Sequence, residues 1–481
     1  MHKRALWCIL LVLLTGCMTV GPDYKRPEID IPTTWRVEET EAKDLANTAW
    51  WEQFNDPVLN GLVAAAIQEN KDLRIATARV EEFFGRYFST RGDQYPLAGG
   101  TASASRQRWS EKNTALPIQG QDNPFNYYDA FLNGSWELDF WGRFRRASEA
   151  AQAELFSTEE ARRAVVLTLV GAVAATYVDI RALDKQLEIT RRTAESRKET
   201  RDLFQLRFDK GIISEIDLRQ AESEYQDALA RIPEFERAIA RLENALSVLL
   251  GRNPGGIPRG LTIDELAPPA VPSGLPSDLL ERRPDIRQAE QALVAANARI
   301  GVAKSAYFPT ISLTGAFGTA STDLSDLFTG PAKAWHFGVP ISIPIFTAGR
   351  IGGEVRAAES VQRESLYRYQ QTIQNGFREV DDALADRAKL QQRLQALGRQ
   401  VEALRTYARL ARLRYDEGYT SYLEVLDAER SLFNIEISYT AAQNTHLRAA
   451  IDLYKAMGGG WVVEAEKLGA PKPEEEAGFI P

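Results

Sequence analysis

The chain of 481 residues has only two cysteines, three histidines and three methionines. Cys8 and Cys17 are the only thiols, so no disulfide framework is expected. His2 lies in the first residues, and His336 and His446 have no Cys, His or acid beside them at ligand spacing. Neither a metal centre nor acid–base chemistry is therefore expected, and no catalytic, cofactor-binding or metal-ligating residue is assigned. Basic charge is also in short supply: Lys+Arg 58 against Asp+Glu 66 gives a net charge of -8, which leaves no footprint for nucleic acid. No mature apolar run is long enough to cross a membrane as a helix. The stretch 164–178 falls short of the roughly 20 residues needed, and its counterpart in the second half carries Arg378, Glu379, Asp381 and Asp382. Proline is missing altogether from 143–209 and 350–416, where glycine is also scarce.

What is present is one design written twice. Residues 207–222 read RFDKGIISEIDLRQAE and 414–429 read RYDEGYTSYLEVLDAE, with 6 of 16 positions identical. The same offset carries Arg143 onto Arg350 and Gly251 onto Gly458, which marks an internal repeat. The organisation read from it is a leader at 1–16, a tether at 17–49, a first repeat at 50–251, a Pro-rich linker at 252–277, a second repeat at 278–458 and a tail at 459–481.

The leader has a basic start, an apolar run and then Leu14-Thr15-Gly16-Cys17, a secretory pattern. Its end looks like a bacterial lipobox, which implies cleavage before Cys17 and lipid on its sulfur; an ordinary signal peptide with an incidental Cys is the alternative. Lipidation would remove a thiol that suits an oxidising periplasm poorly. Met18 rather than Asp after the Cys implies delivery to the outer membrane.

Within each repeat the period changes. A helix is expected from Pro57 to about Ser89. Tyr128, Ala130, Leu132, Gly134, Trp136 and Leu138 then alternate with polar residues, which predicts a strand with one apolar and one polar face. A Gly/Ala/Ser-rich partner covers 95–109, and the second half repeats the pair over 308–346. Each hairpin has about a dozen residues per strand, near the length that crosses a bilayer when tilted, yet four strands cannot close a barrel. The Pro-free stretches that follow predict helices on the order of 100 Å long. Leu390, Leu394, Leu397, Val401, Leu404, Ala408, Ala411 and Tyr415 form a heptad seam, whose first-half equivalent is interrupted by Arg197 and Arg201. Each long helix turns at Gly211 or Gly418 and returns, with a kink expected at Pro233.

Several chains sharing one barrel would reconcile these features. Cys17 with Gly21-Pro22-Asp23-Tyr24, Trp51-x-x-Phe54-x-Asp56-Pro57, Arg283-Pro284-Asp285-Ile286, Tyr307-Phe308-Pro309 and Pro344-Ile345-Phe346 with Gly349-Arg350 resemble the TolC/OprM family of outer-membrane efflux factors. The resemblance implies a mixed α and β fold: a homotrimer with a 12-stranded barrel, four strands per chain, continued by a long periplasmic α-helical tunnel. It implies an outer-membrane channel of a tripartite efflux pump, with a periplasmic adaptor and an inner-membrane RND-type pump as partners, no cofactor and no catalysis. A duct for type I protein secretion and a non-conducting trimeric coiled-coil scaffold are the alternatives. The scarcity of Met argues weakly against a copper or silver exporter.

By the same resemblance Glu424 and Asp427, on one helix face at i and i+3, line the periplasmic aperture, with Asp217 and Gln220 as first-half counterparts. An ordinary solvated helix face is the plainer reading of such a pair. Gly211 and Ser214, like Gly418 and Ser421, read locally as a left-handed C-cap followed by an N-cap. The resemblance adds that these tips dock the adaptor. Arg207 and Arg414 beside them either join tip ion pairs across subunits or stay solvated. Trp109, Trp136, Trp335 and Phe346 lie near strand ends, where aromatic girdles sit, with core packing as the rival for Trp141 and Phe346.

Overall fold

The computed structural model describes residues 19–29, 31–32, 34–35, 49–110, 123–270, 276–458 and 461–469. Cys17 and the leader lie outside the described residues, as do parts of the tether, linker and tail. The fold is mostly helical with one antiparallel sheet. In chain order the main elements are α1 (Pro57–Glu69), α2 (Lys71–Gly92), β1 (Leu97–Gln107), β2 (Phe125–Glu137), α3 (Arg143–Asp209), α4 (Glu215–Leu249), α5 (Pro284–Ser305), β3 (Thr310–Ser321), β4 (Lys333–Gly338), β5 (Ile341–Ser342), α6 (Arg350–Asp416), α7 (Tyr422–Ala456) and α8 (Trp461–Gly469). The chain forms two compact units, each drawing on both repeats. One comprises Met1–Glu28, Glu81–Ser157 and Ala289–Tyr369; the other comprises Ile29–Val80, Thr158–Gln288 and Gln370–Pro481.

The first unit holds the sheet, ordered β1-β2-β3-β4, with β5 continuing against β3. The register places Leu132 beside both Gly100 and Phe317, and Phe317 beside Trp335. The opposite face carries Thr101 and Asn133, hydrogen-bonded at 2.9 Å, together with Ser103 bonded to Asp129. The alternation read from the sequence thus becomes two chemically distinct sheet faces. The apolar one is uncovered: Leu132, Phe317, Trp335 and Phe337 are all exposed.

The fourth strand departs from expectation. Instead of a dozen continuous residues, six of them (Lys333–Gly338) pair with β3, and only Ile341–Ser342 resume the ladder. Pro340 interrupts it, because proline has no N–H to donate.

Residues 19–26 form a strap over α5 and the start of α3. Val20 N–H donates to the Trp141 carbonyl at 3.0 Å, Asn297 Nδ2 to the Pro22 carbonyl at 2.9 Å, and Tyr24 and Arg26 both to Glu290. Arg146, buried, pairs with Asp23 at 2.5 Å. Gly21, at φ +104, permits this approach: a Cβ there would lie 2.5 Å from the Gly301 Cα. Trp141 is packed, stacking on Phe308 at 4.6 Å, whereas Phe346 is 88% exposed. The core reading thus fails for Phe346, while Trp141 is half-buried against Phe308.

The second unit is built on an aromatic core. Trp50 stacks on Tyr454 at 5.4 Å and Trp51 meets Trp461 edge-on at 5.7 Å. Asp56, fully buried, caps α1 by accepting from Val58 N–H at 2.8 Å, and its other oxygen accepts from Tyr177 Oη at 2.7 Å and Leu261 N–H at 3.0 Å. One carboxylate therefore ties α1, α3 and the linker together, which accounts for the Phe-x-Asp-Pro motif. Burial, then the bond to Asp56, pushes the Tyr177 hydroxyl above its ordinary pKa.

The helix expected from Pro57 to Ser89 is two helices. Asn70 ends α1, then accepts from Leu73 N–H at 2.9 Å and donates to the Leu249 carbonyl at 2.9 Å. Arg283 explains its own motif, since its guanidinium reaches Asp285 (2.8 Å), Glu379 (2.7 Å) and the Ala456 carbonyl (2.8 Å). Among the described residues one helix, α3, is long and apolar enough to cross a membrane by length and composition, but half of that window is buried. Val166, Val170, Val173 and Tyr177 belong to the core instead. Pro233 leaves α4 a single helix rather than two.

Candidate functional site

The two helical hairpins end in matching turns. Gly211 (φ +70) donates to Phe208 O and Ile212 to Arg207 O; Gly418 (φ +77) donates to Tyr415 O and Tyr419 to Arg414 O. Both are Schellman closures, in which glycine adopts the left-handed conformation without the strain of a Cβ. The helices that leave the turns begin differently. Ser214 and Asp217 form a reciprocal capping box, in which Ser214 Oγ also donates to Asp217 Oδ2 at 2.7 Å. Ser421 makes no side-chain cap bond, contrary to the expected symmetry. Its partner at the third position, Glu424, is engaged elsewhere, by Arg414 at 2.7 Å and by the Thr420 hydroxyl at 2.5 Å.

That difference reorders the acidic residues. Asp217 is taken up in capping, and Gln220 carries no charge. Glu424 is 25% exposed and paired within its own chain, and Arg414 is its partner. Asp427 stays 52% exposed, 3.3 Å from Arg430. Glu424 and Asp427 sit within one turn of each other on α7. Arg207 donates to Tyr415 Oη at 2.9 Å, so both tip arginines find partners inside the chain.

Behind the tips lies a small second core: Phe204, Leu218, Ala221, Ala408, Ala411, Tyr422, Val425 and Ala428. The Tyr422 ring packs on Phe204 at 4.4 Å and on Tyr415 at 5.5 Å. Burial, followed by nearby Glu429, pushes the Tyr422 hydroxyl from 10.0 up to about 12. Burial also raises Glu429, against the opposing pull of Arg412 and Arg197. The heptad seam on α6 runs into this core through Ala408 and Ala411.

The sequence reading treats Arg197 as an interruption of a seam. In the structure it is an organising group, buried, 2.9 Å from Glu224 and 3.4 Å from Asp227 on α4, with its guanidinium 5.2 Å from the Phe433 ring of α7. Glu436 was also passed over; it is buried and bridges Arg192 of α3 and Arg405 of α6. The available signal was an arginine at a seam position with acids on the returning helix, a pairing that sequence distance conceals.

A family model for outer membrane efflux proteins matches residues 62–252 and 275–459. The chain is 38% identical over 471 residues to the solvent efflux pump outer membrane protein SrpC of Pseudomonas putida, covering 96% of this chain and 99% of that protein. It is equally 38% identical over 466 residues to the cation efflux system protein CusC of Escherichia coli O157:H7, covering 95% and 98%. Among solved structures, the open state of the Neisseria gonorrhoeae MtrE outer membrane channel matches with a TM-score of 0.82 at 32% identity, over 92% of this chain and 98% of that one.

Proposed function

The chain belongs to the outer membrane efflux protein family, and from that premise we propose that three copies assemble into one passive exit duct. It is the outer-membrane channel of an efflux pump, and its role is conduction rather than catalysis. The observation that carries the assembly is the sheet. Its apolar face is uncovered, its other face is polar, and β1 and β4 end it with edges unpaired among the described residues. A sheet edge cannot remain open in hydrocarbon, where each unsatisfied backbone group costs several kcal/mol. Four strands from each of three chains close a barrel of twelve, with Leu132, Phe317 and Trp335 towards lipid and Asp129 and Asn133 towards the lumen.

In this reading the four long helices of each chain build a periplasmic tunnel that narrows at the tips. Three copies of Glu424 and Asp427 ring the aperture, attracting cations and constraining the closed state, with Asp217 and Gln220 beside them. Gly211, Ser214, Gly418 and Ser421 present the turns to a periplasmic adaptor, which an inner-membrane RND-type pump drives. Lipid on Cys17 anchors the chain to the outer membrane. The solvent and cation pumps named among the relatives favour small compounds over secreted proteins as cargo.

Planar-bilayer conductance tests this directly. The wild type should show a small or intermittent conductance that rises in Glu424→Ala/Asp427→Ala. No conductance from folded trimers of either form would sink the duct; equal, large conductance in both would remove the acidic aperture from it.

A further inference from the structure

Helix α7 is held by a ladder of charged contacts placed above the tip core. Glu436, 8% exposed, accepts from Arg192 of α3 through Oε2 at 2.9 Å and from Arg405 of α6 through Oε1, at 3.2 Å from Nε and 3.1 Å from Nη2. One turn nearer the tip, the buried Phe433 ring has Arg197 at 5.2 Å and Arg231 at 5.1 Å. A turn further on, Arg412 of α6 reaches Glu429 at 3.5 Å. An open groove of about 410 Å³ runs over this ladder, lined by Arg192, Arg197, Arg405 and Arg409 around only two carboxylates, Glu429 and Glu436.

The ladder is one-sided. The repeat places Leu229 of α4 where α7 has Glu436, and Gln226 where it has Phe433. Glu436 thus joins the second repeat, through α6 and α7, to α3 of the first, as Arg448 of α7 does farther along by reaching Asp179 of α3 at 2.7 Å. Glu436 lies twelve residues beyond Glu424, or about 18 Å up the helix, at the height of a pivot rather than of the aperture itself.

We propose that Glu436 is a positioning residue for the aperture: it clamps α3 and α6 onto α7, and its charge decides whether they stay together. With the carboxylate present, two half-exposed arginines converge on one buried anion. Without that charge, Arg192 faces Arg405, which keeps only the exposed Glu402 at 2.9 Å, across a groove that also holds Arg409, and like charges drive the helices apart. Loss of one charge converts a clamp into a spacer, and the displacement reaches the tip through rigid helices.

The inference rests on the exit-duct reading, and the experiment separates the two. Conductance, normalised to bulk conductivity, is compared at 0.1 and 1 M KCl for the wild type, Glu424→Ala/Asp427→Ala, Glu436→Gln and Glu436→Asp, with trimer integrity checked by native mass spectrometry. Glu436→Gln should conduct several-fold more than wild type at low salt and fall back towards it at high salt, where screening shortens from about 10 to about 3 Å. Glu436→Asp should stay near wild type, and adding Arg405→Gln to Glu436→Gln should restore the narrow state by removing the repulsion.

If Glu436→Gln matches wild type while the aperture variant widens, the clamp is refuted and the duct stands. A rise indifferent to salt and to Arg405→Gln marks a packing defect and also refutes it. Silence from every folded form overturns the duct, and the clamp with it. Should Glu436→Gln not assemble, Arg192→Glu/Arg405→Glu sets like charges of the opposite sign at the same place; it should widen the pore at low salt and return towards wild type at high salt, and a wild-type conductance from it refutes the clamp.

Discussion

Arg197 of α3 and Glu224 of α4 meet at 2.9 Å, with the arginine 7% exposed and the glutamate 18%. The same guanidinium donates to the Glu224 carbonyl at 2.7 Å and lies over Phe433. An arginine at a seam position is tolerated because every side of it is met: an anion, a carbonyl and a ring face. Arg197→Ala should destabilise the purified protein by about 2–4 kcal/mol, since it strips Glu224 of its partner, leaves Asp227 with Arg231 alone and opens a cavity beside Phe433. Arg197→Met, which refills the volume and leaves the acids near solvent, should cost less. Urea unfolding followed by circular dichroism checks the order; equal losses would show that the charge does not matter at this site.

What the sequence made legible was whatever repeats locally. The 3.5-residue seam at Leu390 to Tyr415, the alternation at Tyr128 to Trp136 and the turns at Gly211 and Gly418 each depend on residues a few positions apart, so period and glycine placement sufficed. Asn70 escaped notice because it both ends α1 and bonds to Leu249 O, a partner 179 residues away. Ser421 takes the N-cap place expected of it but makes no cap bond, for a related reason. The capping rule names the residue that can cap, but Arg414 and Thr420 compete for the glutamate that would complete the box. Arg197 reads as charge in the wrong place and Glu436 draws no notice, because the partners that make them sensible arrive on other helices.

Tyr422 makes the tip core sensitive to alkali. Its folded pKa is raised from 10.0 to about 12, chiefly by burial. The protonated hydroxyl is thus the form that the fold favours, and the stabilisation is complete below pH 10. It is lost as pH rises through about 12, and amounts to at most about 3 kcal/mol. Tyr422→Phe cannot ionise. The difference in urea midpoint between wild type and Tyr422→Phe should therefore shift against the wild type between pH 10 and 12 and stay flat below pH 9. A difference that is constant across the whole range would mean that the hydroxyl reaches water in the folded protein.

The strap over α5 depends on backbone approaching backbone. Gly21 sits at φ +104, a conformation that L side chains rarely adopt, and its missing Cβ leaves room for Gly301; a Cβ on Gly301 would in turn lie 2.6 Å from Val20 O. Gly21→Ala adds both the left-handed strain and a backbone clash, together roughly 2 kcal/mol or more. The contacts that follow Gly21, from Asp23 to Arg146 and from Tyr24 and Arg26 to Glu290, involve flexible side chains and cannot hold the segment alone against that cost. Lys25 lies among them and supplies the assay. Trypsin should cut after Lys25 slowly in the wild type and several-fold faster in Gly21→Ala, while cleavage at exposed lysines elsewhere keeps its rate. Equal cleavage after Lys25 in both would mean that the side-chain contacts, rather than the glycine pair, hold the strap in place.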